Sequence, residues 1–245
     1  MKDSEVKELV ERLRQLASQV ESVKVMEVCG THTVSFFRSG VKSLLPENIH
    51  LISGPGCPVC VTSQGYLDAA CAAARMDKVT IATYGDMVRV PGREGSLEEL
   101  RGSGADILVV YSVRDALLHA VDNPDKKIVF LGVGFETTAP ATAAAILEAQ
   151  NRGVENFYVL MGHKLVMPAM EALLSAGEVA LDGFILPGHV SVIIGIDAYG
   201  PLAEKFGKPS VITGFEPSQL VRGLTRVVEL VKEKELVVDN VYGVA

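Results

Sequence analysis

The sequence predicts an α/β protein: two similar doubly wound parallel-sheet lobes facing a central cleft, preceded by an N-terminal helix. Three observations point there. Short apolar runs of strand length alternate with Ala/Leu-rich segments of helical length, the pattern of parallel strands joined by right-handed helical crossovers. Many of the 23 glycines directly follow Val/Ile/Leu runs, where tight strand-to-helix turns need them. The strand-like runs also fall into two sets of four with similar punctuation.

In chain order, residues 1–22 carry Val6, Leu9, Val10, Leu13, Leu16 and Val20 at helical spacing among charges, which predicts an amphipathic helix. Strands are expected at 23–28, 50–53, 78–83 and 106–111, then at 127–132, 157–161, 183–186 and 210–213. Helices are expected at 66–75, 114–121, 141–152, 168–176 and 218–234. Cys29 and Glu136 follow the first strand of each set, Cys57 and Lys164 the second, Gly85 and Gly188 the third, Ser112 and Glu216 the fourth. A repeat of roughly 105 residues suits a duplicated domain and is too long for a solenoid. The expected organisation is therefore a helix at 1–22, a first α/β domain at 23–123 and a second at 124–245, with the boundary near Asn123-Pro124-Asp125.

Composition narrows the function classes. A chain of 245 residues with 48% apolar and 22% charged content can bury a sizeable core. A net charge of −7 without a basic stripe argues against a nucleic-acid partner. No apolar run approaches the ~20 residues that span a bilayer, and the charged N-terminus lacks the apolar stretch of a signal peptide, so no membrane is expected and the location should be cytoplasmic. In that compartment the four cysteines are more naturally thiol, metal-binding or redox groups than structural disulfides.

Three of those cysteines lie in glycine-bracketed turns at expected strand ends, where open α/β folds place their ligands. Cys29-Gly30-Thr31-His32-Thr33 sets a thiol, an imidazole and two hydroxyls within five residues. His32 suits a base, a proton donor or a metal neighbour, or else a cap on the following helix. Cys57-Pro58-Val59-Cys60 precedes an expected helix N-terminus around Thr62 or Ser63, whose dipole favours a thiolate, so a redox dithiol is plausible. The structural alternative is half of a zinc site that Cys29 and His32 would complete; the open character of all three loops weighs against it. Cys71, within Asp68-Ala69-Ala70-Cys71-Ala72-Ala73, reads as a small core residue on a helix. Gly132-Val133-Gly134-Phe135-Glu136-Thr137-Thr138 lacks the third glycine of a dinucleotide fingerprint and carries Glu136 where an anion would sit. It reads as polar cleft chemistry instead, with Gly162-His163-Lys164 and Pro187-Gly188-His189 adding two imidazoles and an amine at strand ends of the same half.

Taken together, Met-Glu-Val-Cys-Gly-Thr-His-Thr at 26–33, Gly-Pro-Gly-Cys-Pro-Val-Cys at 54–60, Gly-Phe-Glu-Thr-Thr-Ala-Pro at 134–140, Pro-Gly-His-Val-Ser at 187–191 and Gly-Phe-Glu-Pro at 214–217 resemble the HypD family of hydrogenase maturation factors, in the family's order and over nearly the whole chain. The resemblance implies a scaffold that binds iron and supports assembly of the Fe(CN)2CO group of nickel-iron hydrogenase with the HypC chaperone and the cyanide donor HypE. It implies Cys29 as the iron-binding thiolate shared with HypC, Cys57 and Cys60 as a redox pair, and Thr31, His32, Glu136 and His189 as cleft-lining residues. It also implies a 4Fe-4S cluster held by four cysteines of a C-terminal segment, ligands that are absent from this sequence, which stops at Tyr242-Gly243-Val244-Ala245. Two other readings stand beside it: a thiol-disulfide oxidoreductase using Cys57 and Cys60, and a small-molecule binding protein.

Overall fold

The computed structural model describes residues 2–177 and 179–243. It opens with α1 (Lys2–Ala17), β1 (Val23–Glu27), α2 (Gly30–Arg38), β2 (Ile49–Ser53), α3 (Gln64–Ala74) and β3 (Val79–Thr83). The middle of the chain forms α4 (Gly85–Val88), α5 (Leu97–Gly102), β4 (Asp106–Val109), α6 (Val113–Asp122), β5 (Lys127–Gly132), α7 (Ala139–Asn151) and β6 (Phe157–Met161). It continues through α8 (Val166–Ala176), β7 (Gly183–Pro187), α9 (Gly188–Ile194), α10 (Gly200–Glu204), β8 (Ser210–Thr213), α11 (Pro217–Glu233) and β9 (Val238–Asn240). All eight expected strands form. The helices α2 and α9, which begin at Gly30 and Gly188, lie outside the expected helical ranges. The ninth strand carries only three residues, too short to show any alternation. α1 stops at Ala17, earlier than its apolar spacing implies, because the Asn48 amide donates to the carbonyls of Ala17 and Val20 and closes the helix end.

The eight strands do not pair as two consecutive sets of four. One parallel sheet has the order β2-β1-β7-β8-β9 and the other β4-β3-β5-β6. Two compact units follow, one built from Met1–Cys57 with Leu165–Ala245 and the other from Pro58–Lys164, so the second interrupts the first. The expected linker at 123–125 lies inside the second unit as the tight connection from α6 to β5. There the Asn156 side chain donates to the carbonyls of Ala120, Asn123 and Lys126 and pins the turn. The repeat correspondence changes accordingly. The matching orders 2-1-7-8 and 4-3-5-6 make β1 the counterpart of β3 and β7 that of β5, so Glu136 after β5 answers to the turn after β7 and not to Cys29. Sequence adjacency usually means spatial adjacency, but here the crossovers after β2 and β6 leave one sheet for the other, and periodicity carries no mark of that.

In the first unit, α1 and α11 cover one face of the sheet, with Leu13, Leu220, Leu224, Val227 and Val228 buried against Val25, Ile185 and Val211. In the second unit one face carries Ala70, Cys71 and Leu97 on Ile81 and Leu131, and the other Ala116, Ala120 and Ala145 on Ala82, Ile128 and Phe130. Cys71 is thus a core residue, as its alanine-rich setting indicates.

Candidate functional site

In the five-stranded sheet, β1 runs on to β2 on one side while its other neighbour, β7, runs on to β8 in the opposite direction. The carboxyl ends of β1 and β7 therefore form a topological switch point, the place where crossovers diverge and open α/β sheets leave a crevice. Cys29 stands there. It is the N-cap of α2, with extended backbone angles (φ −116°, ψ 128°), and its carbonyl accepts from the backbone N–H groups of His32 (2.8 Å) and Thr33 (3.3 Å). Its half-buried thiol takes no part in capping. A helix N-terminus favours negative charge beside it, so this position suits a metal-bound thiolate.

The turn after β2 locks onto this one. The Gly54 N–H donates to the Glu27 carbonyl at 2.8 Å. Gly56 lies so close to the backbone that a Cβ there would meet the Val28 carbonyl and come within 2.6 Å of the Cys29 Cα, so only glycine fits. Cys57, half-buried, follows directly.

His32 does not cap α2; it lies inside the helix, fully buried. Its Nε2 donates to the Gly214 carbonyl (3.1 Å) after β8, which fixes the neutral tautomer with the proton on Nε2 and leaves Nδ1 as an acceptor with no hydrogen-bond partner among the described residues. Burial pushes this imidazole down to about 4. Phe215 stacks between His32 (ring centroids 4.5 Å apart) and the exposed His189 at the start of α9 (4.2 Å), with Tyr242 at 6.4 Å from His189. Thr31 is exposed on the first turn of α2.

The other expected site residues belong to the second unit. Cys60 is exposed, and Thr62, two residues on, bonds back to the carbonyls of Val59 and Pro58; α3 then starts behind its N-cap Ser63, as the sequence implied. Glu136 is buried in the turn after β5. Beside that turn, at the end of β6, His163 contacts Thr142 Oγ1 (3.5 Å) and Met161 Sδ (3.0 Å), while Lys164 is exposed.

A family model described as "HypD: Hydrogenase formation hypA family" matches residues 4–245. The chain belongs to the HypD family. It is 43% identical over 243 residues to the hydrogenase maturation factor HypD of Escherichia coli, covering 97% of this chain and 65% of that protein. It is 46% identical to the HypD factor of Azotobacter vinelandii (96% and 64%) and 43% identical to a putative hydrogenase expression/formation protein of Methanocaldococcus jannaschii (97% and 66%). The chain thus spans just under two thirds of the length of these curated relatives.

Two residues at this HypD-family site escaped the reading of the sequence. Glu27 lies on β1 at a position that alternation assigns to the same face as Val23 and Val25, so a carboxylate on a core-facing register was the available signal. Phe215 falls inside the Gly-Phe-Glu-Pro motif, where nothing local says that it separates two histidines. Among the described residues, no group of three or more His, Cys, Asp and Glu side chains is placed to hold a metal ion.

Proposed function

We propose that this chain acts in hydrogenase maturation as a scaffold on which iron is held by the Cys29 thiolate while its cyanide and carbonyl ligands are attached. The observation that carries the reading is the position of Cys29: a half-buried thiol, at a helix N-terminus and at the switch point of a parallel sheet, locked in place by Gly56. One thiolate does not fill the coordination of an iron ion, which fits cargo shared with a partner's ligand, the role assigned here to HypC. Soft thiolate ligation suits an iron that carries cyanide and carbonyl.

Cys57 and Cys60 serve as the electron source in this reading. Transfer of cyanide from a thiocyanate on HypE releases the donor sulfur as thiolate and consumes two electrons. The dithiol supplies them by closing to a disulfide with loss of two protons. His32, held as the neutral imidazole by Gly214, offers Nδ1 as an acceptor in the same turn as Cys29. Thr31 and His189, on the same unit as Cys29, are assigned polar contacts with the bound group or its donors.

The test is anaerobic mixing of the chain with HypC and iron, followed by infrared spectroscopy after addition of HypE charged with thiocyanate. Cyanide stretches that vanish in Cys29→Ala support the reading. Undiminished stretches and iron content in that variant would falsify it. Turnover of a disulfide protein substrate without HypC or iron would favour the oxidoreductase instead.

A further inference from the structure

Glu27 is the one carboxylate on β1, and it is buried, with 3% of its surface exposed. Burial pushes its carboxyl group up, a cost opposed by the hydroxyls bonded to it. Its Oε1 accepts from both Thr33 Oγ1 (2.6 Å) and Ser53 Oγ (2.7 Å), and its backbone carbonyl accepts from the Gly54 N–H (2.8 Å). Oε2 is buried and makes no hydrogen bond among the described residues. An apolar residue at this register would have joined the core without any of these costs.

The bonded groups show what Glu27 holds. Thr33 is on the first turn of α2, four residues after Cys29, and Ser53 is the last residue of β2, just before Gly54-Pro55-Gly56-Cys57. One carboxylate oxygen therefore ties together the start of the helix that Cys29 caps and the start of the loop whose Gly56 packs on the Cys29 Cα. β1 and β2 already pair in register through Glu27 and Ser53, and that backbone pairing would persist with alanine at 27. The side chain adds a link from the sheet to α2 that the backbone ladder does not supply. We infer that Glu27 is a positioning residue for Cys29, fixing the Cys29 turn to the Gly54–Cys57 loop through the hydroxyls of Thr33 and Ser53.

This rests on the reading of Cys29 as the iron ligand only for its functional consequence; the positioning itself is read on the thiol. The experiment measures alkylation of Cys29 by iodoacetamide, resolved by peptide mass spectrometry, with amide hydrogen exchange in the buried strand β7 of the same unit as an internal report on unfolding. Glu27→Ala frees both hydroxyls and should raise Cys29 alkylation about ten-fold, as expected for loss of roughly one to two hydrogen bonds to a carboxylate. Glu27→Gln keeps a side-chain oxygen that can accept from both hydroxyls, so its rate should stay within about three-fold of the parent. Because Glu27→Ala could loosen the whole unit, Thr33→Val combined with Ser53→Ala provides the second arm. It leaves Glu27 in place, removes the two donors, and should accelerate Cys29 while the β7 amides stay protected. Iron retained with HypC should fall in Glu27→Ala and in the double variant, and recover in Glu27→Gln.

An unchanged Cys29 rate in the double variant overturns the inference, as does hydrogen exchange in β7 that accelerates as much as Cys29 alkylation. If Cys29→Ala itself retains iron, the ligand assignment fails while the alkylation result still judges the positioning of the thiol. The two failures are therefore separable.

Discussion

The carboxyl edges of the two sheets share a plan and carry different chemistry. In the first unit, β1 ends in a turn built from backbone contact: Gly54 bonds to Glu27, Gly56 packs on Val28 and Cys29, and the helix that follows holds a fully buried histidine. In the second unit, β5 ends in a turn that backbone bonds also hold, the Gly162 N–H donating to the Gly132 carbonyl and the Lys164 N–H to the Gly134 carbonyl (both 2.9 Å), with side chains packed into it. Gly134 packs against the Thr138 side chain, whose Oγ1 donates to the Phe135 carbonyl, and the half-buried His163 comes from the next strand. The turn after β3, which answers to the Cys29 turn by topology, has Tyr84 as the N-cap of α4, followed by Gly85, where the first unit has the Cys29 thiol followed by Gly30. Backbone packed on backbone, as Gly56 is on Val28 and Cys29, yields less than backbone packed on a side chain that can rotate, as Gly134 is on Thr138. The two edges also differ in what their turns present: a half-buried thiol on the first, a buried carboxylate and a half-buried imidazole on the second.

The largest effect expected is on iron. Cys29→Ala should lose essentially all iron from the complex with HypC, whereas Gly85→Ala, where a Cβ would meet only a Val109 methyl at an ordinary 3.7 Å, should keep it. Metal analysis of the purified complexes checks both. Equal iron in the two variants breaks the contrast between the edges.

Next come the two glycines. Gly56→Ala pits a Cβ against the Val28–Cys29 backbone and should cost ~3 kcal/mol or more of stability, along with iron retention. Gly134→Ala meets the Thr138 side chain, with its Cβ at 2.8 Å, and should cost less, ~1–2 kcal/mol, since that side chain and its helix start can shift. Chemical denaturation measures the difference, and a reversed order would show that the second turn is the stiffer one.

His32 and His163 sharpen the comparison further. An unfolded chain titrates His32 near 6.5, while burial holds the folded imidazole down to about 4. As pH falls through 6.5 toward 4 the unfolded state takes up a proton that the folded state refuses, so stability present above 6.5 is lost, by up to ~3 kcal/mol. His163 is also pushed down by burial but is only partly covered, so its contribution has the same sign and is smaller. Melting temperatures of the metal-free chain should therefore flatten with pH in His32→Gln more than in His163→Gln.

The smallest effects concern the cysteines by location. Mild oxidation should close Cys57 with Cys60 reversibly and leave Cys71 untouched, and Cys71→Ala should cost only ~1 kcal/mol with iron retention unchanged. Thiol counting and denaturation together decide this; loss of the Cys71 thiol on oxidation would move the redox pair elsewhere.

Much of this molecule was legible beforehand because short-range chemistry wrote it. Alternation of apolar strand runs with Ala/Leu helices gave eight strands in place, and glycine-flanked cysteines marked the ends of β1 and β2. The Ala-rich run around Cys71 announced its burial. Glu27 and Phe215 escaped because each acts on groups distant in sequence: Glu27 on Ser53 across the sheet, Phe215 between histidines at 32 and 189. Asn156 likewise turned an apparent linker at 123–125 into a pinned turn.

By itself, then, the sequence determined the α/β class, the strand-end location of Cys29, Cys57 and Cys60, and the family to which the motifs belong, because these depend on periodicity and on residues adjacent in the chain. The tertiary structure alone decided which strands share a sheet. It set β7 and not β3 beside the β1–β2 pair, interrupted the first unit with the second, and buried His32 under Phe215. The physical reason is that strand partnership is chosen by which apolar faces bury together across long loops. The cost of closing a loop rises only slowly with its length, so distance along the chain leaves that choice almost unmarked.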